Sequence, residues 1–168
     1  LCVEGNKMMG DLAKELDFHF IRCGKVLVGN TEEDMETLKR TMEQGKDNGA
    51  TNLELIDEKR LHELVPAVVG KFAMFSHNSG IVDPFGYTIA LAENAHANGV
   101  EYHFGCEVTA IRREDDDTYE ITTTKGNFKT RWVVNCAGLG CGKISDMLGI
   151  TGYRIIGSKG DYIILDKR

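Results

Sequence analysis

The chain has 168 residues, 42% of them hydrophobic and 27% charged, and a formal net charge of -6. The composition is that of an ordinary globular protein, and its basic residues gather only in pairs such as Lys39-Arg40 and Arg112-Arg113, which excludes the basic face a nucleic-acid binder needs. No apolar run approaches the ~20 residues of a membrane-spanning helix, and no signal-peptide pattern is present.

Met9, Leu12, Ala13 and Leu16 recur at helical spacing and predict a helix over residues 4–16. Residues 18–23 and 25–29 read as two strands about Gly24, the pattern of a tight hairpin. Thr31 is placed to cap the next helix, with Glu32, Glu33 and Asp34 in the first turn, where acidic groups suit the helix dipole. Met35, Leu38 and Met42 form its apolar stripe, and Asn48-Gly49 ends it. Asp57 caps a short helix that stops before Pro66, because the residue preceding a proline avoids the α region. Residues 71–76 form a strand. Asp83-Pro84 combines an N-cap with a first-turn proline, a strong helix start, and Asn98-Gly99 ends that helix. Phe85, Ile89, Ala92 and Ala95 line one of its faces.

Val100 to Phe104 and Glu107 to Arg113 read as strands, and Tyr119 to Thr124 alternates as a third. The acidic run Glu114-Asp115-Asp116-Asp117 is a solvated hairpin tip rather than a metal site, since adjacent charges in a turn point apart into water. Gly126 turns the chain into a strand from Phe128 to Cys136, whose Val133-Val134 centre is apolar on both faces, as in a buried parallel strand. Ile144, Met147 and Leu148 mark a short helix ending at Gly149. A last strand, bent near Gly157 or Gly160, covers Tyr153 to Leu165. The expected class is α+β with a mixed sheet, in two interleaved lobes.

The chemistry concentrates in Thr123-Thr124-Lys125-Gly126 followed by Thr130-Arg131-Trp132-Val133-Val134-Asn135-Cys136-Ala137-Gly138. A hairpin here feeds a strand that opens into Ala-Gly. Ligands of open α/β sheets bind at the carboxyl ends of strands, and residues without large side chains let backbone N–H groups approach a phosphate. Spacing alone favours the plainer reading, a merely tight strand-to-helix turn. Gly138-Leu139-Gly140-Cys141-Gly142 is not the G-x-G-x-x-G dinucleotide fingerprint, because its third glycine falls one residue early. No pair among the five cysteines has C-x-x-C spacing, and no His pair has metal-ligand spacing. Reduced thiols, and with them a cytoplasmic location, are the default. Cys136 reads as a small buried hydrophobe, and Cys141 is a reactive-thiol candidate if the helix it opens lowers its pKa.

The T-x-x-G hairpin and the apolar strand ending in Ala-Gly resemble the second flavin-contact motif of flavoproteins with two dinucleotide folds. Upstream, Gly80-Ile81-Val82-Asp83-Pro84 and the Ala-rich helix to Gly99 resemble the "G-v-v-D-P" block of FAD-dependent glycerol-3-phosphate dehydrogenases, shared with L-2-hydroxyglutarate oxidases. Downstream, Ser158-Lys159-Gly160-Asp161-Tyr162 resembles the same family's "K/R-G-x-h/y" strand, and residues 4–29 resemble the helix and hairpin after its first flavin fold. The chain is thus similar to FAD-dependent oxidoreductases of the glycine oxidase superfamily.

That resemblance implies a cofactor, FAD, and a small hydroxy substrate. Val108 matches a valine whose backbone meets adenine, and Ala137 and Gly138 match the Ala-Gly beside the pyrophosphate. Lys159, Gly160 and Tyr162 match the strand facing substrate and flavin, although Lys159 also reads as a solvated lysine and Tyr162 as a packing residue. His77, in the turn His77-Asn78-Ser79-Gly80, is a further substrate-side candidate; no catalytic residue is assigned. The aerobic glycerol-3-phosphate enzymes often carry His where this chain has Tyr162, which leaves anaerobic-type enzymes and hydroxyacid oxidases open. Residues 1–82 are expected in a substrate lobe, 83–150 in part of an FAD-binding lobe with a β-hairpin insertion, and 151–168 in a strand returning to the substrate lobe. The chain begins at Leu1 and contains no G-x-G-x-x-G, so it is expected to be an internal piece, inactive and without FAD by itself. The electron acceptor and any membrane association of the parent are left open. A non-catalytic binding module is the alternative from another class.

Overall fold

A computed structural model describes residues 1–163. The chain divides into two compact units, one over Leu1–Glu101 and the other beginning at Tyr102.

The first unit runs α1 (Cys2–Glu15), β1 (Phe20–Ile21), β2 (Lys25–Gly29), α2 (Glu32–Asp47), β3 (Leu53–Asp57), α3 (Glu58–Leu64), β4 (Phe72–Ser76), β5 (Ile81–Val82) and α4 (Pro84–Ala97). The starts of α2, α3 and α4 are those the sequence predicts, while α1 begins two residues earlier than expected. Thr31 and Asp34 close a reciprocal capping box on α2, the Asp57 carboxylate accepts from the Arg60 N–H, and Asp83 accepts from the Phe85 N–H ahead of Pro84. Backbone N–H groups of Asn30 and Thr31 hold the Asp34 carboxyl below its usual range.

Strands β2, β4 and β3 form an antiparallel sheet with β4 in the centre. Its core is Ile56, Leu61 and Ala73, with Val26, Val28 and Phe75 packed against them. Burying such side chains supplies the non-directional driving force of the unit. The face of α4 that carries Phe85 and Ile89 is exposed, and α4 has no buried residue.

Gly24 does not turn a hairpin. β1 pairs with β5 and β2 pairs with β4, so β1 and β2 together run antiparallel to the β4–β5 segment. The Gly24 N–H bridges the two ladders by donating to the Ser79 carbonyl, and its φ of +77° makes the kink between them. β3, a strand not predicted from the sequence, pairs with β4 from Leu53↔Ser76 to Asp57↔Phe72.

The second unit contains β6 (Val108–Arg113), β7 (Tyr119–Thr123), β8 (Gly126–Thr130), a 3-10 turn at Gly138–Gly140 and α5 (Cys141–Asp146). β6, β7 and β8 form the expected antiparallel meander, with an irregularity in register between Val108 and Ala110. Arg112 faces Glu120 across the ladder at 2.8 Å, a pair that holds the Glu120 carboxyl below its usual range. The acidic run is the β6–β7 tip, where Asp117 takes a left-handed conformation.

Three expected strands differ. Val100 to Phe104 forms none, residues 131–136 form none after β8 ends at Thr130, and residues 153–163 are irregular. Apolar composition licenses a strand, but only a ladder makes one, and these segments join no ladder among the described residues. The supposed buried centre is only half so: Val133 is half-buried, and Val134 is 83% exposed. Residues 164 and 165 of the last expected strand lie outside the described residues. The fold is α+β, and every ladder among the described residues is antiparallel. Among the described residues, no helix is long and apolar enough to cross a membrane and no cluster of metal-ligating side chains occurs.

Candidate cofactor-contact site

Within the second unit, the meander and the segment after it enclose an open hollow of about 430 Å³. Val108, Ile111 and Ile121 form its sheet side, while Val133, Ala137 and Ile144 come from the segment after β8 and from α5. Val108 starts β6, ahead of the register irregularity, so its backbone stands at the rim of the sheet. Two of the three expected cofactor residues, Val108 and Ala137, therefore border one hollow although two strands and a turn separate them in the chain.

Gly138 follows at φ +55°, and a Cβ built on it would meet nothing within 4 Å. The position combines a left-handed backbone, which L side chains rarely adopt, with free space for a ligand to approach the main chain. The turn it opens is held from below. Asn135 Nδ2 donates to the Cys141 carbonyl (2.9 Å) and to Ser145 Oγ (3.3 Å), and Asn135 Oδ1 accepts from the Ala137 N–H (3.3 Å). The Cys141 thiol donates to the Gly138 carbonyl. Ser145 is buried and shares a further hydrogen bond with the Tyr153 hydroxyl. Neither Asn135 nor Ser145 was expected to have a role from the sequence. A signal was available for Asn135, since an Asn side chain commonly binds the backbone two residues on.

The other expected site residues lie elsewhere. His77, in the first unit, pairs through Nε2 with Glu54 Oε2 at 2.9 Å and stacks at a tilt on Phe75. Next to it, Asn78 accepts from Asn6 and Arg22 at its carbonyl and donates to Thr51, tying α1 to the β4–β5 turn. Lys159 pairs with Asp161 at 2.8 Å, and Tyr162 is 94% exposed. Residues 153–163 form no strand, so no strand alternation fixes which way Lys159 and Tyr162 face. All five cysteines are free thiols, and Cys136 is exposed rather than buried.

An apolar hollow suits the flat face of an adenine, and an open glycine turn beside it suits a closely approaching diphosphate. Val108, Ala137 and Gly138 thus fit the adenine end of FAD, while the G-x-G-x-x-G that grips the pyrophosphate in a dinucleotide fold is absent from the sequence. Solved structures share the fold. The chain superposes on L-proline dehydrogenase from P. horikoshii with a TM-score of 0.78 at 26% identity, covering 88% of this chain and 40% of that one. It superposes on glycine oxidase from Geobacillus kaustophilus with a TM-score of 0.76 at 24% identity, covering 88% and 41%. FAD-bound L-alpha-glycerophosphate oxidase from Mycoplasma pneumoniae shares the fold too, at TM-score 0.75 and 21% identity over 86% and 40% of the two chains.

The chain belongs to the FAD dependent oxidoreductase (DAO) family, whose model matches residues 1–168. It is 37% identical over 169 aligned residues to a glycerol 3-phosphate dehydrogenase of Caloramator mitchellensis, covering 99% of this chain and 35% of that protein. It is 28% identical to a mitochondrial L-2-hydroxyglutarate dehydrogenase of Nematostella vectensis, covering 98% and 39%. The chain thus spans little more than a third of the length of these relatives.

Proposed function

We propose that these residues form part of an FAD-dependent dehydrogenase or oxidase that takes a hydride from the hydroxyl-bearing carbon of a small substrate of the glycerol 3-phosphate kind. The observation that carries this reading is the meeting of Val108 and Ala137 on one apolar hollow with Gly138 open beside it. The similarity of nearly the whole chain to a glycerol 3-phosphate dehydrogenase supports the substrate class.

In this reading the Val108 backbone meets the adenine and the Ala137-Gly138 turn meets the pyrophosphate. FAD supplies the hydride-accepting chemistry when bound. Lys159 neutralises a substrate phosphate or carboxylate, exchanging its solvent-exposed pairing with Asp161, which is worth little. Tyr162 and His77 contribute hydrogen bonds on the substrate side. Residues 1–82 and 151–168 then belong to the substrate lobe and 83–150 to the cofactor lobe. The five free thiols support a cytoplasmic location. A second reading, an L-2-hydroxyglutarate-type enzyme, is favoured by Tyr162 at the position where the resemblance to aerobic glycerol-3-phosphate enzymes would place a His, and by the similarity to L-2-hydroxyglutarate dehydrogenases.

The test uses the complete protein encoded by the reading frame that contains these residues, loaded with FAD under anaerobic conditions. Glycerol 3-phosphate is expected to bleach the flavin band. Bleaching by L-2-hydroxyglutarate alone selects the second reading. A protein that binds no FAD, or whose flavin neither substrate bleaches, refutes both and leaves a non-catalytic module.

A further inference from the structure

The Ala137-Gly138 turn has backbone geometry that its own residues do not enforce. Ala and Gly carry no polar side chain, and left-handed φ is only one of several conformations open to glycine. The turn's own backbone supplies a bond from the Gly140 N–H to the Ala137 carbonyl, and one neighbouring amide ties the turn to the rest of the unit. Asn135 is bonded at both ends of its side chain: Oδ1 holds the Ala137 N–H, and Nδ2 holds the Cys141 carbonyl at the start of α5 and the Ser145 hydroxyl one turn later. Ser145 is buried, and it is anchored in turn by Tyr153. The amide therefore links the turn to a buried point on α5, and the Cys141–Gly138 bond closes the loop from the other side.

We infer that Asn135 is the positioning residue of the cofactor site: it touches no cofactor atom but holds the Ala137-Gly138 backbone in the geometry that receives the diphosphate end of FAD. The inference rests on the reading of the hollow as a cofactor site. An amide is required chemically, because the position must offer an acceptor to the Ala137 N–H and donors to Cys141 and Ser145 at once. A carboxylate would set two acceptors against each other at the Cys141 carbonyl and would add a negative charge beside a diphosphate. A leucine of similar size would leave all three bonds unmade.

The experiment measures FAD dissociation constants by flavin fluorescence on the complete apoprotein, with melting temperature recorded in parallel. Asn135→Leu should weaken FAD binding by about tenfold or more, the scale of a lost network of ordinary hydrogen bonds. Asn135→Asp should weaken binding at neutral pH and recover towards wild type as the introduced carboxyl protonates and can donate again. Ser145→Ala, which removes one of the three bonds, should weaken binding less than Asn135→Leu. If Asn135→Leu fails to fold, the pH recovery of Asn135→Asp decides alone. Wild-type FAD affinity in Asn135→Leu overturns the inference, as does Asn135→Asp binding that is independent of pH. If the wild-type protein binds no FAD, the cofactor reading falls and takes the inference with it; if the wild type binds and the variants bind equally well, only the role of Asn135 falls.

Discussion

Replacing Gly138 separates the backbone's contribution from the ligand's. The residue sits at φ +55°, and a Cβ there would touch nothing within 4 Å. Gly138→Ala therefore adds only the cost of holding an L residue in the left-handed region, about 1–2 kcal/mol. Gly138→Val adds the stiffness of a β-branched side chain to the same strain. In a purely structural turn the loss would end there, and both variants would bind any ligand of the complete protein once folded. In a cofactor site the new side chain also occupies the free space beside the main chain. FAD affinity should then fall by at least about tenfold for Gly138→Ala and further for Gly138→Val, a factor of ten corresponding to about 1.4 kcal/mol. Isothermal titration with FAD on the complete protein, compared with urea unfolding of the apoprotein, separates the two costs. Unchanged FAD affinity in Gly138→Val, with folding intact, would remove Gly138 from the site.

Leu61→Ala should destabilise the chain by about 3–4 kcal/mol in urea unfolding, because Leu61, on α3, is 1% exposed and packs with Ile56 and Ala73 of a hydrogen-bonded sheet that cannot collapse onto the cavity; a loss below about 1 kcal/mol would show that the core lies elsewhere. Hydrogen bonds from Lys129 and Thr118 hold the Asp116 carboxyl down to about 2 from an ordinary 3.8, so its contribution to the hairpin tip is present above the ordinary value and fades as pH falls through about 2. An NMR titration should find that low midpoint, and Lys129→Ala should raise it; a midpoint near 3.8 in the wild type would contradict the pairing. Purified residues 1–168 should carry no stoichiometric FAD, and a full flavin band would mean that the hollow suffices without a G-x-G-x-x-G. In the complete enzyme Tyr162→Phe should lower kcat/KM by about tenfold, the scale of one lost hydrogen bond, and wild-type kinetics would end its proposed role.

Local signals were legible in the sequence wherever the structure depends on local chemistry. Thr31, Asp57 and Asp83 cap their helices because a side-chain oxygen beside orphan N–H groups is decided within one turn. The β6–β8 meander grows out of alternation broken by Asp117 and Gly126. The misreadings concern partners far away in sequence. Gly24 looks the same whether it turns a hairpin or kinks a strand, and only the pairing of β1 with β5 decides between them. β3 was hidden because Leu55 and Ile56 interrupt its alternation, although β4 supplies a partner along its whole length. Residues 100–104 and 131–136 are apolar enough for strands and find no ladder among the described residues. In the site, Val108 was reached through resemblance alone, since nothing in its residue type announces a ligand, whereas Ala137 and Gly138 stood out as small residues at the end of an apolar segment. Asn135 was overlooked because its partners, Cys141 and Ser145, become neighbours only when α5 folds back beneath the turn.

A structure of the complete protein with FAD bound tests the central claim most directly. The adenine is expected against the Val108 backbone in the apolar hollow, and the diphosphate over Gly138, within hydrogen-bonding distance of the Ala137-Gly138 turn. FAD held wholly by other segments, with the hollow filled by side chains and Gly138 facing solvent, would contradict the claim.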